Sequence, residues 1–183
     1  MANPSQRNFS SIEDTRRKAR EHLAHGAVTP NYEGDLATAI RLLNGALATE
    51  LVCVLRYRFH ATTAQGIDSE SVKSEFLKHA QEEQEHADRI AERINQLGGK
   101  PDLNPATLAS RSATEYVEGK NLIAMIEEDL VAERVAIETY RELVRYFGEH
   151  DPTSRRMLED ILAVEEEHAD DLLTLLQQMH ASG

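Results

Sequence analysis

The chain has 183 residues, 32 Asp and Glu against 20 Lys and Arg, a formal charge of -12, one Cys and no Trp, and 40% of its residues are hydrophobic. That size fits one domain able to bury most of its apolar surface without staples, so a metal site in it is expected to be functional rather than structural. The acidic balance disfavours nucleic acid and anionic membranes as partners and attracts cations.

Residues 1–30 carry five Lys and Arg and three Asp and Glu, a charge of +2, which leaves -14 on residues 31–183. The opening MANPSQRNFSS has no apolar h-region, and nowhere do about 18 apolar residues run together, so neither a signal peptide nor a transmembrane helix is expected. The lone Cys53 cannot form an intrachain disulfide, which fits a reducing compartment, and a cytoplasmic location is the default. Ser10 followed by Glu13 reads as a capping box and Gly26 as a stop, predicting a short helix over residues 11–25 with a thin stripe of Ile12, Ala19 and Leu23. Residues 30–35 are turn-like, and Asp35 is placed to cap the next helix. This divides the chain into an N-terminal extension, 1–34, and a main domain, 35–183.

From Asp35 onward the 3.6-residue period dominates. Leu36, Ile40, Leu43, Leu47, Glu50, Val54, Tyr57 and Ala61 form one face of a long helix ended by Gly66. Val72, Phe76, His79, Glu83, His86, Ile90, Arg93 and Leu97 repeat the spacing until Gly98, Gly99 and Pro101. Leu122, Ile126, Asp129, Glu133, Ala136, Tyr140, Val144 and Phe147 make a third face, stopped at Gly148. The fourth helix starts at Asp151-Pro152, a cap followed by Pro at the first helical position, and shows Leu158, Ile161, Glu165, His168, Leu172, Leu175 and Met179. The expectation is an all-α four-helix bundle. The connections near 66–69 and 148–151 are short and join antiparallel neighbours. The one over roughly residues 98–115, at about 3.3 Å per residue, can span a helix rising about 1.5 Å per residue, so a long crossover joins the second and third helices.

The two predicted hairpins repeat each other. Glu50 to Arg58 and Glu133 to Arg141 both read E-x-V-x-[VI]-x-x-Y-R, and Glu83 to Ile90 and Glu165 to Leu172 both read E-x-E-H-A-D-x-[IL]. Equivalent acids therefore sit at equivalent heights, about an approximate two-fold axis. Glu50, Glu83, Glu133 and Glu165 all occupy core-facing positions, where unpartnered carboxylates cost several kcal/mol per ion. Glu-x-x-His puts His86 and His168 one turn from Glu83 and Glu165 on the same face. Four carboxylates balance two divalent cations, and two neutral imidazoles complete the set. Oxygen-rich ligands with one His per ion suit iron or manganese better than zinc. A lone ExxH arises by chance on an acid-rich helix; two, with two further Glu residues in register, form a specific pattern.

Other residues carry weaker signals. Tyr57 and Tyr140, two turns after Glu50 and Glu133, can donate a hydrogen bond or an electron, although a satisfied core hydroxyl is the plainer role. His79 and Asp129 are placed as outer groups or a metal access path, or as polar ends of core stripes. Cys53 reads as a small buried hydrophobe. Arg16, Arg17, Lys18 and Arg20 could hold a phosphate backbone, but nearby acids favour a solvated helix face.

On these motifs the chain resembles a bacterioferritin-type member of the ferritin-like superfamily, over roughly residues 36–180. The carrying segments are NGALATELV around Glu50, EQEHADRI at Glu83, DLVAE ending at Glu133, and EEEH from Glu165 to His168. The resemblance implies Glu83 and Glu165 as bridges between two irons, Glu50 with His86 and Glu133 with His168 as terminal ligands, and a ferroxidase that oxidises Fe(II) with O2 or H2O2 and stores the mineral in a protein shell. It thus implies two Fe ions per chain, with Mn possible. Bacterioferritins bind haem through a Met directly after the second-helix Glu; here that residue is Gln84, so no haem is expected. The 15 residues after His168 are too few for the fifth helix of 24-subunit cages, and the N-terminal extension resembles the smaller Dps-like shells, so a homo-oligomeric dodecamer is favoured over a 24-mer. The alternatives are another di-metal enzyme, a manganese catalase or a rubrerythrin-like peroxidase, and a Dps-like DNA-protecting protein, for which the basic tail is the only support and DNA binding is not expected.

Overall fold

In the computed structural model, which describes residues 10–66 and 69–182, all four periodic stretches are helices: α2 (Leu36–Thr63), α3 (Ser69–Gln96), α5 (Leu122–Phe147) and α6 (Pro152–Ser182). Around them lie α1 (Ile12–Lys18), a single 3-10 turn (Leu23–His25) and the four-residue α4 (Leu108–Arg111). The described residues contain no strand. The first nine residues of the N-terminal extension and part of the first inter-helix turn, 67–68, lie outside the described residues.

The caps are those that local chemistry dictates. Asp35 accepts from the backbone N–H groups of Ala37 and Thr38 and opens α2. Asn121 accepts from Ala124 N–H and opens α5. Asp151 accepts from Ser154 N–H at 2.9 Å, and the same buried carboxylate takes a second bond from Arg93 Nη2 at 2.9 Å and a third from the Tyr32 hydroxyl at 3.1 Å. One residue therefore caps α6, neutralises the Arg that sits on the buried stripe of α3, and anchors the segment leading into α2.

The N-terminal helix departs from expectation. Its cap is Ser11, which accepts from Asp14 N–H at 3.1 Å, and it stops at Lys18 rather than continuing to residue 25. None of its residues is buried, and Ile12 is 70% exposed. The stripe finds no core to face, and a short helix without tertiary packing does not propagate.

Helix α2 packs on α3 and α5, and α6 on α5 and α3. Helices α3 and α6 run antiparallel: Lys78 meets Asp171 and Arg89 meets Asp160. The crossover from α3 to α5 climbs the length of α2 and includes α4, where only loop was expected. Asn44 receives Asp102 N–H at 2.7 Å and donates to Lys100 O, Thr49 receives Ala113 N–H at 2.9 Å, and Arg56 and His60 reach the carbonyls of Glu115 and Val117. These bonds satisfy the crossover backbone and fix the ferritin-like order of helices. Among the described residues α2 is the one helix apolar enough in composition for a membrane span, with mean hydropathy 1.5, but 56% of its apolar stretch is buried within the bundle, where the helix also carries Glu50 and Arg56.

Two apolar clusters fill the interior. Leu43, Leu47, Ile90, Ile94, Phe147, Leu158 and Ile161 build one end. Cys53, Val72, Phe76, Ile126, Leu172 and Leu176 build the other. The layer between them is polar.

Candidate metal centre

That mid-bundle layer is made by one turn from each long helix. Glu50 comes from α2, Glu83 and His86 from α3, Glu133 from α5, Glu165 and His168 from α6, and none is more than 4% exposed. All six residues singled out by their spacing are thus brought together. Two four-residue groups have donor atoms within 4.8 Å of one another: Glu50, Glu83, His86 and Glu165, and Glu83, Glu133, Glu165 and His168. Glu83 and Glu165 belong to both.

The hydrogen-bonding capacity of this layer is left open on the inside. Glu50 Oε2, Glu133 Oε2, both oxygens of Glu165 and His86 Nδ1 are buried without a hydrogen-bond partner. His86 Nδ1 lies 3.0 Å from Glu165 Oε1 and 3.3 Å from Glu50 Oε2, yet none of these contacts has hydrogen-bond alignment. His168 Nδ1 approaches Glu83 Oε1 at 3.1 Å, and its Nε2 lies 2.9 Å from Glu82 Oε2. Native interiors leave few such atoms orphaned, and orphaned carboxylate oxygens facing one another need a cation. The donor chemistry, carboxylate oxygen with one imidazole per group and no thiolate, fits hard to borderline divalent metals such as iron or manganese.

The outer atoms of the terminal carboxylates are held from across the bundle. Tyr57 of α2 donates its hydroxyl proton to Glu133 Oε1 on α5, and Tyr140 of α5 donates to Glu50 Oε1 on α2. Each Tyr follows one Glu by seven residues but serves the Glu of the other half. The repeated E-x-V-x-[VI]-x-x-Y-R motif thus encodes a reciprocal pair of bonds that aims the remaining oxygens, Glu50 Oε2 and Glu133 Oε2, inward. The tyrosines therefore have satisfied hydroxyls, in contact with the centre itself.

Electrostatics agree with a site built for added positive charge. Burial, with repulsion from Glu83 and Glu165, pushes the carboxyls of Glu50 and Glu133 well above their ordinary range. Burial also opposes ionisation of Glu83, but the neighbouring Glu50, His168 and His86 outweigh it and hold this carboxyl below the usual range. Burial disfavours the charged imidazoles as well; contacts with Glu165, Glu50 and Glu83 overcome it at His86 and push it up to about 12, and Glu165 and Glu83 push His168 up to about 11. Without metal, protons occupy the positions that cations would neutralise.

The polar residues around the centre have partners of their own. Asp129 is not directed at the centre: it accepts from Arg56 Nε at 2.7 Å and pairs with His60 Nδ1 at 2.8 Å, all three fully buried. Arg56 and His60 gave no signal beyond their polarity in an apolar stretch. Cys53 is buried, its thiol pKa raised by that burial, which matches an inert core residue. Gln84 lies on the helix flank and donates to Asp88 at 2.9 Å. In α1, Arg17 is paired with Asp14 and Glu21, and Lys18 with Asp14, as a solvated helix face would be.

Comparison with known proteins gives a consistent placement. The ferritin-like domain family matches residues 40–181. The chain is 31% identical to the bacterioferritin of Rhodobacter capsulatus over 143 residues, covering 78% of this chain and 84% of that protein. It is 35% identical over 132 residues to a nutrient stress-induced DNA-binding protein of Synechococcus, covering 69% and 74% of the two chains. Among solved structures it superposes on the bacterioferritin-related protein of Bacteroides fragilis, described as a dodecameric thioferritin, with a TM-score of 0.75 at 33% identity, covering 81% and 91%.

Proposed function

The chain belongs to the ferritin-like family, and from that premise we propose that it is a cytoplasmic ferroxidase and iron-storage protein, oxidising Fe(II) to Fe(III) with O2 or H2O2. The observation that carries the reading is the pair of four-residue groups sharing Glu83 and Glu165, with their orphaned atoms turned inward. Glu83 and Glu165 would hold two irons side by side, Glu50 with His86 would complete one, and Glu133 with His168 the other. Two bound Fe(II) ions supply two electrons to one oxidant.

The protein's own contribution is positioning and charge. Tyr57 and Tyr140 fix the terminal carboxylates, so each ligand set is preorganised. The apolar clusters above and below exclude bulk water, which strengthens the attraction between the carboxylates and incoming cations. As metal enters, Glu50, Glu133, His86 and His168 give up protons. The carboxylate-rich set favours the higher charge of Fe(III), which leaves for a mineral held inside a shell of identical subunits. A dodecameric shell, at about 250 kDa for twelve chains of 20.5 kDa, is the assembly this reading favours. No haem belongs to it, and manganese is the alternative metal.

The test is stopped-flow absorbance of Fe(II) mixed anaerobically with metal-free protein and then with O2 or H2O2. Ferric absorbance should rise far faster than in protein-free buffer, and Glu50→Ala with Glu133→Ala should return it to the buffer rate. Wild-type rates in that double variant would overturn the assignment. Peroxide turnover by the Mn-loaded protein in excess of iron uptake would instead favour a manganese catalase or rubrerythrin-like peroxidase.

The similarity to a protein named for DNA binding supports a second reading, in which the basic tail coats DNA. The internal pairing of Arg17 and Lys18 speaks against it.

A further inference from the structure

Beside the six-residue centre, on the seam between α3 and α6, one buried imidazole has a nitrogen that nothing satisfies. His79 is 0% exposed, and its ring stacks on His168 with centroids 4.0 Å apart. The Tyr57 hydroxyl proton goes to Glu133, so the Tyr57 oxygen is free to accept, and His79 Nδ1, 3.2 Å away, is placed to donate to it. That tautomer leaves His79 Nε2 with a bare lone pair. Nε2 has no hydrogen-bond partner and looks outward at two carboxylates, Glu75 Oε1 at 3.2 Å and Asp171 Oδ2 at 3.6 Å. A lone pair facing two anions is repulsive unless a cation lies between them.

A cation already stands near this position. Lys78 Nζ contacts Glu75 Oε1 at 3.2 Å and Asp171 Oδ2 at 3.3 Å. Its side chain is 46% exposed and can swing into solvent. As placed, the ammonium meets both carboxylates and leaves His79 Nε2 unpartnered, whereas a metal ion seated among the three would take all of them as ligands.

The geometry points to a third divalent-cation site formed by Glu75 and His79 of α3 and Asp171 of α6, from which the ion is passed to the buried centre. The donor atoms of these three residues lie within 4.8 Å of one another, as do those of His79, Glu82 and His168. His79 therefore belongs to an outer group that touches solvent through Glu75 and Asp171, and to an inner group that includes His168 of the centre itself. Two partly exposed carboxylates and one imidazole suit a weakly held Fe(II) or Mn(II) ion that must also leave. The delivery role rests on the proposed di-metal centre; the outer site does not.

The test is a titration of the metal-free full-length protein with Co(II) alone, read by calorimetry and by the visible absorption of bound Co(II). Wild type should bind three ions per chain, and Glu75→Gln with Asp171→Asn should bind two. Lys78→Met should keep three and hold the third more tightly. The paired carboxamide variant preserves side-chain volume and leaves the buried His79 in place, so its ion count reads the outer site in a folded protein. A wild-type count unchanged in that paired variant overturns the outer site, including the case in which a proton on His79 is all that neutralises the cluster. If instead wild type binds one ion, and the paired variant none, the outer site stands and the di-metal reading fails. Delivery predicts that the paired variant fills the buried centre several-fold more slowly at the same final occupancy of that centre; an unchanged filling rate removes the delivery role.

Discussion

Adding divalent metal should stabilise this protein, by an amount that grows with pH. In the metal-free chain His86 and His168 titrate far above their ordinary 6.5, so the stability they lend as cations is complete below that pH and is lost as pH rises toward about 11 and 12. Glu50 and Glu133 are also raised, and their contribution is likewise lost as pH climbs above their ordinary 4.5. Glu83 has the opposite sign, but its window lies below 4.5. The metal-free protein should therefore lose stability between pH 5 and 9. Divalent ions displace the same protons, so their affinity should rise over that range. With free metal at about a hundred times Kd, each ion adds about 2.7 kcal/mol. Two ions give about 5 kcal/mol, or about 10–20 °C in Tm for a chain of this size. The chain has no Trp, so the assay is far-UV circular dichroism melting, with and without Mn(II), at pH 6 and 8 and fixed protein concentration. A gain smaller at pH 8 than at pH 6, or no gain at either, refutes the assignment of these protons to the metal positions.

Three further outcomes follow from the surrounding residues. Tyr57→Phe and Tyr140→Phe should each weaken Mn(II) binding about 10–100-fold by freeing the carboxylate each Tyr orients, measured by calorimetry; affinity within twofold of wild type in both would mean that these bonds do not set the geometry. Asp129→Ala leaves Arg56 buried without its partner and should cost about 3–5 kcal/mol in chemical denaturation, while a loss below about 1 kcal/mol, the scale of an exposed pair, would show that Arg56 escapes to solvent. Gel-shift at physiological salt should detect no DNA binding by the full-length protein, whereas binding that vanishes on removal of residues 1–34 would establish the DNA-coating reading.

The bundle and its centre were legible because both follow a period. In the second stripe every residue from Val72 to Leu97 on the expected face is buried, and the in-register acids of the two halves fall in one layer. What stayed hidden depends on partners far apart in sequence and outside the repeat. Arg56 and His60 meet Asp129 from 73 and 69 residues away, and the repeat places Thr139 and Leu143 at their counterpart positions, so symmetry offered no clue. The tyrosines were visible, but their crossing to the opposite Glu was not, because periodicity places a side chain on a face without naming its neighbour. The N-terminal helix was overextended because a local capping signal says where a helix starts and nothing about whether a core will sustain it.

The central claim is that Glu50, Glu83, His86, Glu133, Glu165 and His168 hold two metal ions in each chain. Its most direct test is anomalous X-ray diffraction at the iron edge from crystals loaded anaerobically with Fe(II). Two peaks should appear in the mid-bundle layer, both touching Glu83 and Glu165, one also touching Glu50 and His86 and the other Glu133 and His168. A single peak there, or iron bound elsewhere with this layer empty, would contradict it.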